Sequence, residues 1–295
     1  MKEKLKLHIQ SRIDQYVNKS RHSGRALINE DTISRKQEMH RRRGAEIVKC
    51  AATGRILSMH KDEEGETAVY EVHVRYLIKL NGELYMEEEA DHRYAVWNGD
   101  DIVQDVPLHE EGTNTEEVPH APLVEDEWDR NVRFTYNRLE AVRYAEQWWN
   151  TFNPKYKKFD VDCTNYISQC LHEGGAPMVG YPKKSGAWWM RNKDWSYTWT
   201  VANALRWYLP VAKSGMKSRE VARADLLMPG DVICYDFQGD GRFDHNTIVV
   251  AKDPNNEPLV NAHTYNSRMR YWKYEDSTAY TPNIKYKFFH ILDRN

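Results

Sequence analysis

Cysteine is scarce in this chain. Four residues among 295, none closely paired, leave no basis for a disulfide framework. Cys163 and Cys170 fall on one expected helix, about 10 Å apart along its axis at 1.5 Å per residue. That exceeds the roughly 7 Å between Cα atoms that a disulfide tolerates. Cys50 and Cys234 lie in strand-like apolar runs and read as core residues. The short cysteine spacing of structural zinc is missing as well, which argues against a zinc set of Cys163, Cys170, His172 and His245. Neither a metal nor a cofactor is expected. A formal net charge of −2 lacks the basic excess that nucleic acid or an anionic membrane surface selects. No stretch approaches the roughly 18 consecutive apolar residues of a membrane helix, so no membrane insertion is expected. The N-terminus also lacks the apolar core and cleavage site of a secretory leader.

What is present is enough apolar material for real cores, 40% of residues with 12% aromatic, in a chain whose length divides into two domains more often than one. Leu5, Ile9, Ile13, Tyr16 and Val17 recur at helical spacing, and a polar helix is expected across residues 30–45. Strand-like runs follow at 45–59, 67–80, 83–97 and 101–106. The Asn81-Gly82 pair between two of them is a strong hairpin signal. The expected product, over residues 1–125, is an α+β domain with a helix on a curved antiparallel sheet, in the manner of cystatin-like or NTF2-like domains. It carries no catalytic constellation and reads as an accessory domain through which a protein partner would bind. An acidic, proline-containing stretch spans 107–132, with the linker at 126–134 and the second domain at 135–295. That domain opens on a helix over 136–149 whose apolar residues 139, 142, 145, 148 and 149 mark one face.

Chemistry concentrates at Asp162-Cys163-Thr164-Asn165-Tyr166. An aspartate stands where a helix would be capped, and Cys163, Tyr166, Ile167, Cys170 and Leu171 form an apolar stripe behind it. A thiol on a helix's first turn is favoured as the thiolate by the N–H groups and dipole there. The same spacing also describes a buried cysteine that merely packs. About eighty residues on, Asp244-His245-Asn246-Thr247 sets a histidine at the mouth of a β-branched strand, and Asn261-Ala262-His263-Thr264 ends another. A nucleophilic thiol needs a base, and the base needs an orienting partner; the chain supplies all three. Asn261 and His263 share a strand face, which leaves the third member open between them.

These motifs, with Pro229-Gly230-Asp231-Val232, resemble the papain-like cysteine peptidases of the NlpC/P60 and CHAP kind, and most closely the putative amidase domain family of Gram-positive bacteria. The resemblance covers roughly residues 135–295. It implies a papain-like α+β domain with helices packed on an antiparallel sheet. Cys163 is then the nucleophile, His245 the base and later the acid, and His263, or alternatively Asn261, the orienting group. It implies a peptide or peptidoglycan-type substrate whose free amine is gripped by Asp162, a residue that otherwise serves as an N-cap. Thr164 and Asn165 stand where those enzymes have Ser-Gly, and Thr164 is assigned to substrate binding with Asp162. Without a leader, a cytoplasmic or spore-associated setting is expected over a secreted one.

Between the nucleophile helix, ended by Gly174-Gly175, and the Gly230 turn lie Trp188, Trp189, Trp195, Trp199 and Trp207. Trp188 and Trp189 read equally as substrate-binding walls of a cleft or as core, and Trp207 as core. Residues 236–244 resemble a calcium loop at four offsets but carry Thr247 where the bidentate glutamate belongs, so a Gly-rich hairpin delivering His245 is expected. The function expected is thiol-dependent amide hydrolysis. The alternatives are a catalytically silent module binding wall fragments or a protein, and acyl transfer to an amine.

Overall fold

The computed structural model describes residues 2–17, 30–61, 65–108, 134–212 and 214–294. The chain divides into two units, residues 1–110 with 273–278, and residues 111–272 with 279–295. The sequence-expected linker at 126–134 lies, but for its last residue, outside the described residues. Among the described residues no helix is long and apolar enough to cross a membrane.

In the first unit, helices α1 (Lys2–Val17) and α2 (Glu30–Arg42) precede strands β1 (Ala45–Lys61), β2 (Glu66–Leu80), β3 (Glu83–Asn98) and β4 (Asp101–Pro107). The strands pair in sequence order, all antiparallel. Asn81 and Gly82 both hold positive φ, 52° and 87°, and close Leu80 against Glu83, as a two-residue hairpin turn requires. Period-two alternation buries Ala68, Tyr70, Val72, Tyr76, Ile78 and Leu80 of β2. Against this face lie Leu5 and Tyr16 of α1 and Ile33 of α2. Each large apolar side chain so buried contributes roughly 1.5–3 kcal/mol. Val17, expected on the buried stripe, is exposed at the end of α1.

The second unit has helices α3 (Arg138–Trp148), α4 (Cys163–Glu173), α5 (Tyr197–Thr200) and α6 (Ala202–Tyr208). Its strands are β5 (Met190–Arg191), β6 (Asp194–Trp195), β7 (Ser218–Val221), β8 (Val232–Asp236), β9 (His245–Lys252), β10 (Pro258–Ala262), β11 (Asn266–Tyr271) and β12 (Lys285–Ile291). β5 pairs with β6, and the rest form antiparallel neighbours in the order β11-β10-β9-β8-β12-β7. Val232 and Cys234 of β8 and Ile248 and Val250 of β9 meet Tyr166, Ile167, Cys170 and Leu171 of α4 in one core. This is a mixed α/β architecture with helices laid on an antiparallel sheet.

α3 turns most of its expected face inward: Ala145 and Trp149 are buried, and Val142 and Trp148 pack against the core. Ala141 and Tyr144 are buried beside that face, while Leu139, at the start of the helix, is 72% exposed. α4 ends as expected: Gly174 is its C-cap, Gly175 has φ 99°, and the N–H groups of Gly175 and Ala176 return to the carbonyls of His172 and Leu171. In the Pro229-Gly230-Asp231 turn, Gly230 holds φ 90°. The Asp231 carboxylate then receives Arg138 Nη1 at 2.7 Å, Met228 N at 2.8 Å, His290 Nδ1 at 2.9 Å and Ile291 N at 3.0 Å. That motif is a structural tie between α3, β8 and β12.

Candidate active site around Cys163

Cys163 is the first residue of α4, and Asp162 occupies the N-cap position without capping. The Asp162 carboxylate is occupied elsewhere. Its Oδ1 accepts from Phe159 N at 3.1 Å and Asn165 Nδ2 at 2.8 Å, and its Oδ2 from His263 Nδ1 at 2.8 Å. Asn165, one of the two departures from the Ser-Gly pattern, also donates to the Lys157 carbonyl and accepts from Trp199 Nε1. It ties the loop before α4 and helix α5 to the first turn of α4.

Cys163 is buried, 3% exposed. The polar neighbours of its sulfur are Thr164 Oγ1 at 3.7 Å and the main-chain N–H groups of Asn246 and Thr164. Burial pushes the Cys163 thiol up, more than the hydrogen bonds from Thr164 and Asn246 draw it down, and the Asp162 carboxylate adds to the rise. The sequence expectation of an acidified thiol is therefore corrected for this state: desolvation outweighs the helix terminus.

His245 heads β9 opposite Tyr235 of β8. Its ring packs with Tyr235 and Phe237, centroids 5.7 and 6.2 Å away. The side chain of the next residue, Asn246, leaves on the other face and donates to Thr164 Oγ1 at 3.0 Å. The structure thus brings the main chain of β9 to the sulfur while the imidazole lies on the Tyr235 face. Burial, together with the charge of Arg270, pushes His245 down to about 3.

The two candidates for the third member have other partners. His263 stacks on Tyr166 at 4.0 Å, and its nitrogens face two acceptors, Asp162 Oδ2 and the Trp148 carbonyl at 2.7 Å. Asn261 donates to Glu146 Oε1 at 2.9 Å and accepts from Met269 N at 2.9 Å. Neither is hydrogen-bonded to His245; both tie β10 to the α3–α4 side.

The residues expected to bind substrate are buried. Trp188 Nε1 donates to Ser168 Oγ at 3.0 Å and Trp189 Nε1 to the Lys183 carbonyl at 2.6 Å, and Trp188 packs on Trp199 at 4.8 Å. These tryptophans are core, since each indole N–H finds a protein acceptor and its rings find a filled interior. Thr164 is likewise fully buried. Trp207, read as core, is 46% exposed, with Arg206 over its ring at 3.7 Å. The Asp236 carboxylate accepts from the N–H groups of Gly239, Asp240 and Gly241, which makes it the anchor of the hairpin before His245 rather than an open ligand. Sequence reasoning missed Asn246, although alternation along β9 already sends it to the face opposite His245.

A family model described as "Putative amidase domain" matches residues 135–289, the stretch that holds every one of these groups. The chain belongs to the putative amidase domain family. A relative from Bacillus subtilis (strain 168), "Uncharacterized protein YhbB", is 47% identical over 269 residues, covering 88% of this chain and 86% of that protein. A second from the same organism, "Uncharacterized protein YjcM", is 33% identical over 143 residues, covering 44% of this chain and 31% of that one. No solved structure matches the chain. Membership of the amidase family suggests a hydrolase, with an amide as the bond acted on.

Proposed function

We propose that residues 135–295 form a papain-like thiol amidase, related to the NlpC/P60 and CHAP enzymes, in which Cys163 is the nucleophile and His245 the base. The observation that carries this reading is the position of Sγ. It stands at the N-terminus of α4 against the Asn246 N–H, one residue from a histidine at a strand mouth. The first N–H groups of a helix have no acceptor within it, and they suit the oxyanion of a tetrahedral intermediate. His245 takes the thiol proton as Sγ bonds to the amide carbon, then gives it to the departing amine. Water cleaves the thioester, leaving a carboxylic acid and restoring the thiol. The ring leaves the Tyr235–Phe237 face for this step, and His263, held by Asp162, acts on the site through the start of α4.

A peptide of the peptidoglycan stem type fits as substrate. Lys157 and Lys158, on the loop pinned to Asp162 and Asn165, lie over the rings of Trp195 and Phe152 at 4.1 and 4.5 Å and suit a substrate carboxylate. The first unit serves as an accessory domain that binds a protein partner. Purified stem peptides incubated with the protein and read by mass spectrometry test the activity. Cleavage is expected in the native protein and lost, with the fold intact, in Cys163→Ala and in His245→Ala. Full cleavage by either variant sinks the mechanism, and a mass corresponding to a new amide would make the reaction acyl transfer. A second reading is favoured by the buried sulfur and by the other partners of His263 and Asn261: a catalytically silent module. It requires wall-fragment binding that Cys163→Ala leaves unchanged, with no cleavage by the native protein.

A further inference from the structure

Three polar atoms close a ring around the candidate nucleophile. The main-chain N–H of Asn246 points at Cys163 Sγ, Asn246 Nδ2 donates to Thr164 Oγ1 at 3.0 Å, and Thr164 Oγ1 lies 3.7 Å from the same sulfur. Thr164 and Asn246 are fully buried, so no solvent competes for these groups. A hydroxyl has one proton to give and two lone pairs to fill. Asn246 Nδ2 fills one lone pair, and the sulfur is the polar neighbour left to take the proton.

We propose that Thr164 and Asn246 form a donor cradle for the Cys163 thiolate, in which the Asn246 amide orients the Thr164 hydroxyl onto Sγ while the Asn246 main-chain N–H supplies the second donor. Both are positioning residues. This assignment rests on Cys163 being the nucleophile.

An independent observation supports it. Asn246 Oδ1 is buried with no hydrogen-bond partner, and an orphaned acceptor is costly enough that native structures keep few. Turning the amide over would satisfy Oδ1 with the Thr164 proton, but would take that proton from the sulfur. The orientation found leaves Oδ1 without a donor and keeps the hydroxyl free to serve Sγ. Of the charged or titratable groups facing the sulfur, Asp162 before α4 and Cys234 on β8 are the others, and neither offers a charge that favours the thiolate. The cradle therefore counters their effect and that of burial. It also accounts for a hydroxyl-bearing residue directly after the cysteine.

The test is the ultraviolet absorbance of the thiolate titrated against pH in the full chain, taken as the difference from Cys163→Ala, which needs neither substrate nor reagent access. Thr164→Val, equal in shape but lacking the hydroxyl, is expected to move the Cys163 midpoint up by about one pH unit, the order expected for one hydrogen bond to a charged group. Thr164→Ser is expected to restore it. Asn246→Asp is expected to raise it at least as far, because a carboxylate takes the Thr164 proton and adds like charge. If Thr164→Val loses its cooperative melt, Thr164→Ala against Thr164→Ser carries the same contrast. An unchanged midpoint in the hydroxyl-free variant, or Ser behaving as Val does, overturns the cradle. Unchanged midpoints in an enzyme that still cleaves remove the cradle alone, whereas the expected shifts in a protein that cleaves nothing leave the cradle and remove the amidase reading.

Discussion

In the first unit, the buried Asp105 carboxylate is met from several sides. Asp105 receives His8 Nε2 and Arg93 Nε at 2.8 Å, Tyr70 Oη at 2.9 Å and Arg12 Nη1 at 3.1 Å. Lys36 Nζ sits among Glu87, Glu89 and Asp276, where it fills the place a cation would take. Around Cys163 in the second unit, by contrast, the polar atoms are few and their pairing is incomplete: a neutral thiol, one hydroxyl, and an amide oxygen with no donor. Saturated networks fix a structure, because removing one member strands the others. A loosely satisfied cluster keeps hydrogen-bonding capacity for something that arrives or changes charge. The contrast holds between Asp105 and Cys163, both buried, and the Lys36 cluster is intermediate, since Glu87 Oε2 has no hydrogen-bond donor.

The largest expected effects pull the two centres apart. Asp105→Ala strands Arg93 and Arg12 and should cost about 3–5 kcal/mol of first-unit stability, the range for breaking a buried ion pair, measured by chemical denaturation. Cys163→Ala should leave the denaturation midpoint nearly unmoved, while the hydrolysis it is proposed to support disappears. Equal stability losses in both variants would erase the distinction.

Acid should separate them next. Burial alone would raise Asp105, but the hydrogen bond from His8 and the charges of Arg93 and Arg12 outweigh it and hold the carboxyl well below its usual range. A depressed carboxylate stabilises above its unfolded value, near 4, and that contribution is lost as pH falls below it. His245 is depressed too, from an ordinary value of about 6.5 to about 3. Its contribution is full above the unfolded value and is lost as pH falls from there toward the folded one. The second unit should thus begin to weaken at milder acidity than the first, read as unit-resolved melting against pH. His245→Gln should flatten the second unit's dependence, and loss of both units in one window would contradict the assignment.

The smallest effect belongs to the surface. Arg143 meets Glu140 one turn away on α3, with 69% of the arginine side chain exposed. Arg143→Ala should change stability by no more than about 0.5 kcal/mol in either direction of salt, and a larger loss would mean that exposed charge matters here as buried charge does.

Much of the architecture was legible. The four strands of the first unit begin and end within about two residues of their alternating patterns, because a half-buried antiparallel strand writes its two faces directly into the chain. Asn81-Gly82 was readable because few other pairs tolerate two successive left-handed residues. Gly174-Gly175 marked the end of α4 because Gly175 takes the left-handed conformation that closes a helix. The inward face of α3 was legible at Val142, Ala145, Trp148 and Trp149 but not at its start, where Leu139 is exposed and Ala141 buried. The tryptophan segment was ambiguous because an indole serves a core or a cleft equally well until its N–H partner is known.

The sequence by itself determined the helices and strands of the first unit and, in the second, where α4 starts and that Cys163 heads it, because periodicity and turn chemistry are local. Tertiary structure alone decided what surrounds the sulfur. Whether the thiol is raised or lowered, which face the His245 ring takes, and that Asp162 holds His263 all depend on desolvation and on partners a hundred residues away, and those quantities exist only once β8, β9 and β10 are laid against the helices.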